Sequence, residues 1–176
     1  NEVIARLAKQ ESGLNIHAND HVNMSQSSND VIPSTIHVSS SLLIHEKLLP
    51  ALKHIQQVLH DKAKTLEGIT KTGRTHLMDA MPVRFDQTLR AFQGQLFDCE
   101  SRIRSVLPRL NQLALGGTAV GTGINAHPEF GARVAKILAQ NTHIDFVTSQ
   151  NYFIQMSSQD TAVELSGQLK VLAVTL

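Results

Sequence analysis

The side chains best suited to chemistry lie in a polar stretch from Asn15 to Pro33. It contains four Asn, three Ser, two Asp, two His and one Gln, with no Lys, Arg or Gly. Short, mostly neutral donors of this kind suit fixed hydrogen bonds to a small polar ligand. The stretch runs into a helical pattern, with Asn29 or Asp30 predicted as N-cap and Pro33 in the first turn. A helix start favours a carboxylate or phosphate at residues 27–30, and the alternative is an ordered capping loop that binds no ligand.

A second polar interruption, residues 71–82, places four functional side chains together: Arg74, Thr75, His76 and Asp79. His titrates near neutral pH, so a His beside a hydroxyl is a candidate acid–base group. From the dipeptide alone, a His that only caps a turn is the simpler interpretation.

A third interruption, residues 116–125, holds four glycines in ten residues. The segment from Gly121 to Ala126 fits the G-x-G-x-x-A pattern of dinucleotide-binding loops. That pattern requires a preceding strand, and the sequence before it is helical in character. Close backbone approach between helices is therefore the better interpretation of these glycines.

Composition and spacing exclude several other classes. The net charge of +1, with charges of both signs interspersed, predicts no nucleic-acid surface and no basic membrane patch. No apolar run approaches the roughly 20 residues of a membrane span. The single cysteine, Cys99, cannot form a disulfide within the chain, lies on an apolar stripe rather than in a reactive setting, and fits a reducing compartment.

No metal site is predicted from the nine histidines. His17 and His21 are four residues apart, but in a loop rather than on one helical face. His45 is followed by Glu46 without the second His of an H-E-x-x-H motif. The histidines predicted to lie at the surface or in an interface of the long helix are His37, His45, His54 and His60.

Apolar residues recur three and four positions apart, which predicts an all-α fold. The predicted helices cover residues 1–12, 33–66, 83–107, 110–115, 128–140 and a last segment from about Tyr152. Pro50 is expected to kink or split the second helix, and residues 71–82 are expected to form a turn, a short extended piece and a turn. Unbroken, residues 33–66 would form a helix about 50 Å long, which favours a bundle shared between subunits. Polar interruptions separated by one helix then meet most easily when they come from different subunits.

Three segments carry a family resemblance: HANDHVNMSQSSND at 17–30, KTGRTHLMDAMP at 71–82 and LALGGTAVGTGINAHPEF at 113–130. In this order they make the sequence resemble the fumarase/aspartase superfamily, most closely its class II, iron-independent fumarate hydratases. The alternative within the superfamily is an aspartate ammonia-lyase, which usually has Gln in place of His76 and Thr in place of Ser28. A non-catalytic structural bundle is the alternative from another class.

The resemblance implies reversible anti hydration of fumarate to L-malate, without a metal or organic cofactor, in a homotetramer with active sites shared between subunits. His76 would transfer a proton at the hydroxyl side of the substrate. The residues implied to hold the substrate carboxylates are Ser27, Ser28, Asn29 and Thr75. Those implied to form a second dicarboxylate site, outside the catalytic pocket, are His17, Ala18, Asn19 and Asp20.

The resemblance also implies a place within a longer polypeptide. Residues 1–14 would end an N-terminal domain, and residues 15–176 would begin the central helix-bundle domain. The mobile serine loop of such enzymes, and the glutamate partner of His76, do not occur in this sequence. We therefore expect the 176-residue chain by itself to be inactive. The expected location is the cytoplasm, with the mitochondrial matrix as the alternative in a eukaryote.

Overall fold

The structure is a computed structural model that describes every residue from Asn1 to Leu176. Helices make up 65% of it. The α-helices are α1 (Glu2–Ser12), α2 (Ser28–Leu43), α3 (Leu49–Thr65), α4 (Phe85–Leu110), α5 (Phe130–Thr142), α6 (Tyr152–Ser157) and α7 (Asp160–Thr175). The strands are β1 (Thr70–Thr75), β2 (Met78–Arg84), β3 (Gln112–Leu113) and β4 (Val147–Thr148). Two further segments are π-helical, Ala18–Val22 and Ile44–Leu48. The predicted all-α class is confirmed.

The chain folds into two units. The first contains residues 1–41 and 109–162, and the second contains residues 42–108 and 163–176. The buried apolar side chains of the first unit are Ala5, Leu110, Leu113, Ala114, Ala135, Ile144 and Phe146. Those of the second are Ile44, Leu49, Leu52, Ala63, Leu96, Cys99, Ile103, Val106, Leu107, Leu165 and Leu172. The domain boundary expected near residue 14 stays a prediction.

Helical residues follow one another without a gap from Ser28 to Thr65. Between α2 and α3 the N–H of Leu49 donates to the carbonyl of Ile44, five residues back, as in a π-helix. Pro50 follows in the first turn of α3. Because proline has no N–H and its ring displaces the carbonyl four residues earlier, a widened turn accommodates it. The chain is therefore not split into two helices at Pro50, and a kink there stays a prediction.

The buried face of α2 consists largely of polar side chains, which the sequence did not predict. His37 is 3% exposed, with its Nδ1 2.8 Å from the carbonyl oxygen of Gln112 of the same chain, so its predicted location at the surface or in an interface is wrong. The hydroxyl of Ser41 donates to Oδ1 of Asn111 over 2.7 Å. Because α2 begins at Ser28, Pro33 lies in its second turn, and its predicted place in the first turn is also wrong.

An antiparallel hairpin forms where the sequence predicted only a short extended piece between turns. β1 pairs with β2, and Thr75 lies opposite Met78 across a two-residue turn. Both turn residues, His76 and Leu77, have positive φ, 49° and 62°. This is the pattern of a type I′ turn, which usually takes Asn-Gly. The sequence His-Leu lacks that signature, which is why the hairpin was not predicted.

Two element boundaries in the C-terminal half also differ from prediction. α4 continues through Pro108 to Leu110, and β3 then pairs with β4 in a short parallel bridge. The helix predicted for residues 110–115 is therefore wrong. The last predicted helix is divided into α6 and α7, because Ser158 is extended and its hydroxyl accepts the N–H of Asp160 at the start of α7.

Apolar side chains remain exposed on the long helices of the second unit. On α4, Leu96 and Ile103 are buried, whereas Phe92 and Phe97 are 50% and 53% exposed. Val58 on α3 is also 50% exposed. The apolar stripe of α4 is thus covered along only part of its length, and patches of this kind mark surfaces at which proteins associate.

Candidate active site

The start of α2 is fixed by a reciprocal cap. The hydroxyl of Ser27 accepts the N–H of Asn29 at 3.2 Å, and Oδ1 of Asp30 accepts the N–H of Ser27 at 2.9 Å. This is a capping-box arrangement in which Ser27 is the N-cap and a carboxylate three residues on reaches back to it. The prediction of Asn29 or Asp30 as N-cap is therefore wrong. The cap explains why the helix begins before Pro33.

Asp30 also holds the glycine-rich loop. Its second oxygen, Oδ2, accepts the N–H groups of Gly116 and Thr118 at 3.1 and 2.9 Å. Nearby, the side-chain amide of Asn29 donates to the carbonyl oxygen of Ala119 at 2.8 Å. Amides that a phosphate-binding loop would offer to its ligand are here bonded to a carboxylate of the same chain. This arrangement argues against the dinucleotide interpretation.

The predicted close approach at the glycines is confirmed. A Cβ on Gly117 would lie 2.5 Å from Sδ of Met156 and 2.9 Å from Cβ of Tyr152. A Cβ on Gly131 would lie 2.4 Å from the carbonyl oxygen of Leu115. Such distances are shorter than any normal carbon contact, so only glycine lets the loop lie this close to α5 and α6.

A cavity of about 510 Å³ opens beside the start of α2. Its lining residues are Ser28, Asn29, Pro33, Ala119, Val120, Phe153, Met156, Ser157 and Gln159. None of them carries a charge, so a ligand here meets hydroxyl and amide groups next to apolar side chains. Sequence analysis predicted Ser28 and Asn29 but missed the residues from α6 onward, which carry no recognisable motif.

Thr75 and His76 lie at the tip of the hairpin, in the second unit. Both side chains are exposed, and Leu77 beside them is 99% exposed. Across the hairpin, Nε of Arg74 lies 3.1 Å from Oδ1 of Asp79. The predicted site residues therefore form two groups: Ser27, Ser28 and Asn29 in the first unit, and Thr75 and His76 in the second.

The base of the hairpin is anchored by Asp86, in the first turn of α4. The guanidinium of Arg84 donates to both of its carboxylate oxygens, at 2.8 and 3.2 Å, and Nε of Arg90 lies 3.7 Å from Oδ2. The hydrogen bond from Arg84 lowers the pKa of Asp86, against the opposing effect of burial, since the residue is only 1% exposed. Sequence analysis missed Asp86. Its position between two arginines, at the start of a predicted helix, was the available signal.

The residues implied for a second dicarboxylate site form a separate, exposed group. His17 and Asp20 cap the π-helical turn: Nδ1 of His17 accepts the N–H of Asp20 at 3.3 Å and lies 3.1 Å from its Oδ2. The N–H of His17 in turn donates to Nδ1 of His21 at 2.8 Å. Ala18 and Asn19 occupy the first positions of this turn. The structure therefore places the four residues together in one short turn.

No group of three or more His, Cys, Asp or Glu side chains is arranged to hold a metal ion. Cys99 is buried, with its Sγ 3.4 Å from the hydroxyl of Thr175. None of the helices combines the length and apolar character needed to cross a membrane.

Comparison with known proteins identifies the family. Fumarate hydratase class II 2 of Pseudomonas aeruginosa is 55% identical to this chain over 176 residues, and fumarate hydratase class II of Xylella fastidiosa is 49% identical. These matches cover all of this chain and 38% and 37% of the relatives, so the chain spans about two fifths of their length.

The crystal structure of the class II fumarase of Schistosoma mansoni superposes with a TM-score of 0.92, at 32% identity, covering 97% of this chain and 40% of that one. A family model described as lyase matches residues 1–176. Since that match includes every residue, the chain belongs to the lyase family, and its resemblance to class II fumarate hydratases is confirmed along its whole length.

Proposed function

We propose that this chain supplies part of the active site of a class II fumarate hydratase, which adds water reversibly to fumarate to give L-malate. The observation that carries the proposal is the 55% identity, along the whole chain, to a protein named fumarate hydratase class II 2. The cavity lined by Ser28 and Asn29 supports it, because these residues belong to one of the segments that carry the resemblance.

Ser27, Ser28 and Asn29 are proposed to bind a substrate carboxylate, with Thr75 contributing from the hairpin. Neutral hydroxyl and amide donors hold an anion without neutralising it. The charge that builds up in the transition state can then be stabilised more strongly than the ground state. In the dehydration direction that charge develops when a base removes the C3 proton of malate and leaves an aci-carboxylate.

His76 is proposed to transfer the proton at the hydroxyl side. During hydration it takes a proton from the attacking water, whose oxygen bonds to C2 while C3 receives a proton from another group. During dehydration it returns a proton to the departing hydroxyl. Its exposed place at a hairpin tip suits a group whose pocket is completed by other parts of the protein. We accordingly propose a homotetramer in which different subunits contribute to each active site.

Three further features belong to this proposal. The reaction needs no metal or organic cofactor, because proton transfer and charge stabilisation are supplied by side chains. His17, Ala18, Asn19 and Asp20 form a second dicarboxylate site outside the catalytic pocket. The protein acts in the cytoplasm, or in the mitochondrial matrix of a eukaryote.

The test is a substrate comparison with the full-length protein. Fumarate absorbance is followed in both directions, with L-malate and with fumarate, and ammonia release is measured with L-aspartate. We expect reversible conversion of fumarate and malate, and no ammonia release. Ammonia release without hydration would instead identify an aspartate ammonia-lyase, and no activity with any of the three would leave a non-catalytic bundle.

A further inference from the structure

Asp30 has no role in the proposed chemistry, yet it is the most completely enclosed charged side chain near the cavity. It is 0% exposed, and it accepts three backbone N–H groups from two separate parts of the chain. Burying a carboxylate is costly unless its oxygens are hydrogen-bonded, and here both are.

These three bonds connect two segments that line the cavity. One oxygen holds the N–H of Ser27, directly before Ser28 and Asn29, and the other holds the loop directly before Ala119 and Val120. The hydrogen bond from the side chain of Asn29 to the carbonyl of Ala119 joins the same two segments. The relative position of the two segments therefore depends on the Asp30 carboxylate together with the bond from Asn29.

The glycine-rich loop holds a residue in a strained backbone conformation. Thr118 has φ of 58°, a region that side chains other than Gly, Asn and Asp rarely adopt, and its buried hydroxyl oxygen makes no hydrogen bond. Surrounding contacts must hold such a residue in place, and the N–H of Thr118 is bonded to Asp30.

We propose that Asp30 is a positioning residue for substrate binding: its carboxylate sets the distance between the donors at the start of α2 and the glycine-rich loop. The inference rests on the proposed function, since it assigns Asp30 to the site that binds the substrate carboxylate. Asp30 does not touch the substrate and acts through Ser27, Ser28, Asn29 and the loop.

The principal test is Asp30→Asn in the full-length protein. An asparagine presents one acceptor oxygen and one NH₂ group, so at least one of the three backbone N–H groups then faces a donor. We expect KM for fumarate and for malate to rise about tenfold or more, with kcat within roughly threefold, as for an interaction that serves ground state and transition state alike. Asp61→Asn makes the same chemical change at an exposed helical position and should leave both constants unchanged.

Asp30→Glu covers the case in which the asparagine variant does not fold. It keeps the charge but moves the carboxylate by one methylene, and it should raise KM in the same direction. A role in stability alone would lower the melting temperature and the active fraction without changing KM. Unchanged KM in a folded variant of either kind would therefore overturn the proposal.

Hydrogen exchange separates this inference from the proposed function. If the wild-type protein does not hydrate fumarate, the proposed function fails, but the link can still be measured. Amide exchange over residues 115–120 should be slow in the wild type and faster in Asp30→Asn, while exchange over α5 stays the same. Equal exchange over residues 115–120 in both proteins would contradict the link.

Discussion

Gly117→Ala tests whether the fit between the glycine-rich loop and α6 shapes the cavity. The added methyl group would lie 2.5 Å from Sδ of Met156 and 2.9 and 3.1 Å from Cβ and Cγ of Tyr152. The Met156 side chain can move aside, but Cβ of Tyr152 is attached to the backbone of α6, so the helix itself must shift. Overpacking of this kind costs about 1–3 kcal/mol. For a domain of about 150–250 residues, such as the 176-residue chain by itself, that corresponds to a fall of about 2–12 °C in melting temperature.

The shift should also reach the cavity, because Met156 lines it. We expect the melting temperature of the 176-residue chain to fall in thermal unfolding, and KM for fumarate to rise in steady-state hydration by the full-length protein. Gly94→Ala is the matched control: the same methyl group on α4 meets nothing within 4 Å, and helix propensity should make it neutral or stabilising by up to about 1 kcal/mol. Equal melting temperatures for Gly117→Ala and the wild type would refute the packing argument.

Three further predictions concern the hairpin anchor, the second site and the isolated chain. Because the pKa of Asp86 is lowered in the folded protein, its pairing with Arg84 contributes its full stabilisation at pH values above 3.8, the ordinary pKa of an aspartate. That stabilisation is lost as the pH falls through the lower pKa of the folded state. As the pH falls from about 4 to the folded-state pKa, the free energy of unfolding should therefore decrease less in Asp86→Asn than in the wild type. Identical acid-unfolding curves for the two proteins would contradict the assignment. His17→Asn in the full-length protein should keep kcat within roughly threefold, because a site outside the pocket makes no transition-state contacts; a loss as large as that of a His76 variant would mean that the two sites are exchanged. The 176-residue chain by itself should associate through the apolar side chains of the helices predicted at 33–66 and 83–107, and it should show no malate dehydration, since the implied serine base is not in its sequence. A monodisperse monomer in light scattering would refute the expected association, and turnover near that of an intact fumarase would refute the expected inactivity.

Sequence reasoning succeeded where the signal is periodic and local. The stop of α1 at Gly13, which has φ of 70°, follows from glycine's freedom to adopt the left-handed conformation. Apolar spacing located α4 and α5 to within a few residues, because a helix that buries one face must repeat its apolar residues.

The failures arose where tertiary contacts decide the structure. His-Leu does not specify a type I′ turn, so the hairpin that carries His76 depends on the pairing of its strands and on the anchor at Asp86. Asp30 looked like an N-cap because its partners at Gly116 and Thr118 are more than eighty residues away in the chain. The wall of the cavity from α6 onward was missed for the same reason, since its residues become neighbours of Ser28 only in the folded unit.

The central claim is that His76 transfers a proton in fumarate hydration, and kcat of His76→Asn in the full-length protein tests it most directly. Asparagine tolerates the positive φ of His76, so the turn should survive the substitution while the titratable ring is lost. His143→Asn is the matched control, because His143 is exposed and has φ of 57° at the end of α5. We expect kcat to fall by about two to four orders of magnitude in His76→Asn, with a modest change in KM, and to stay near the wild-type value in His143→Asn. A His76→Asn variant that hydrates fumarate at close to the wild-type rate would contradict the account.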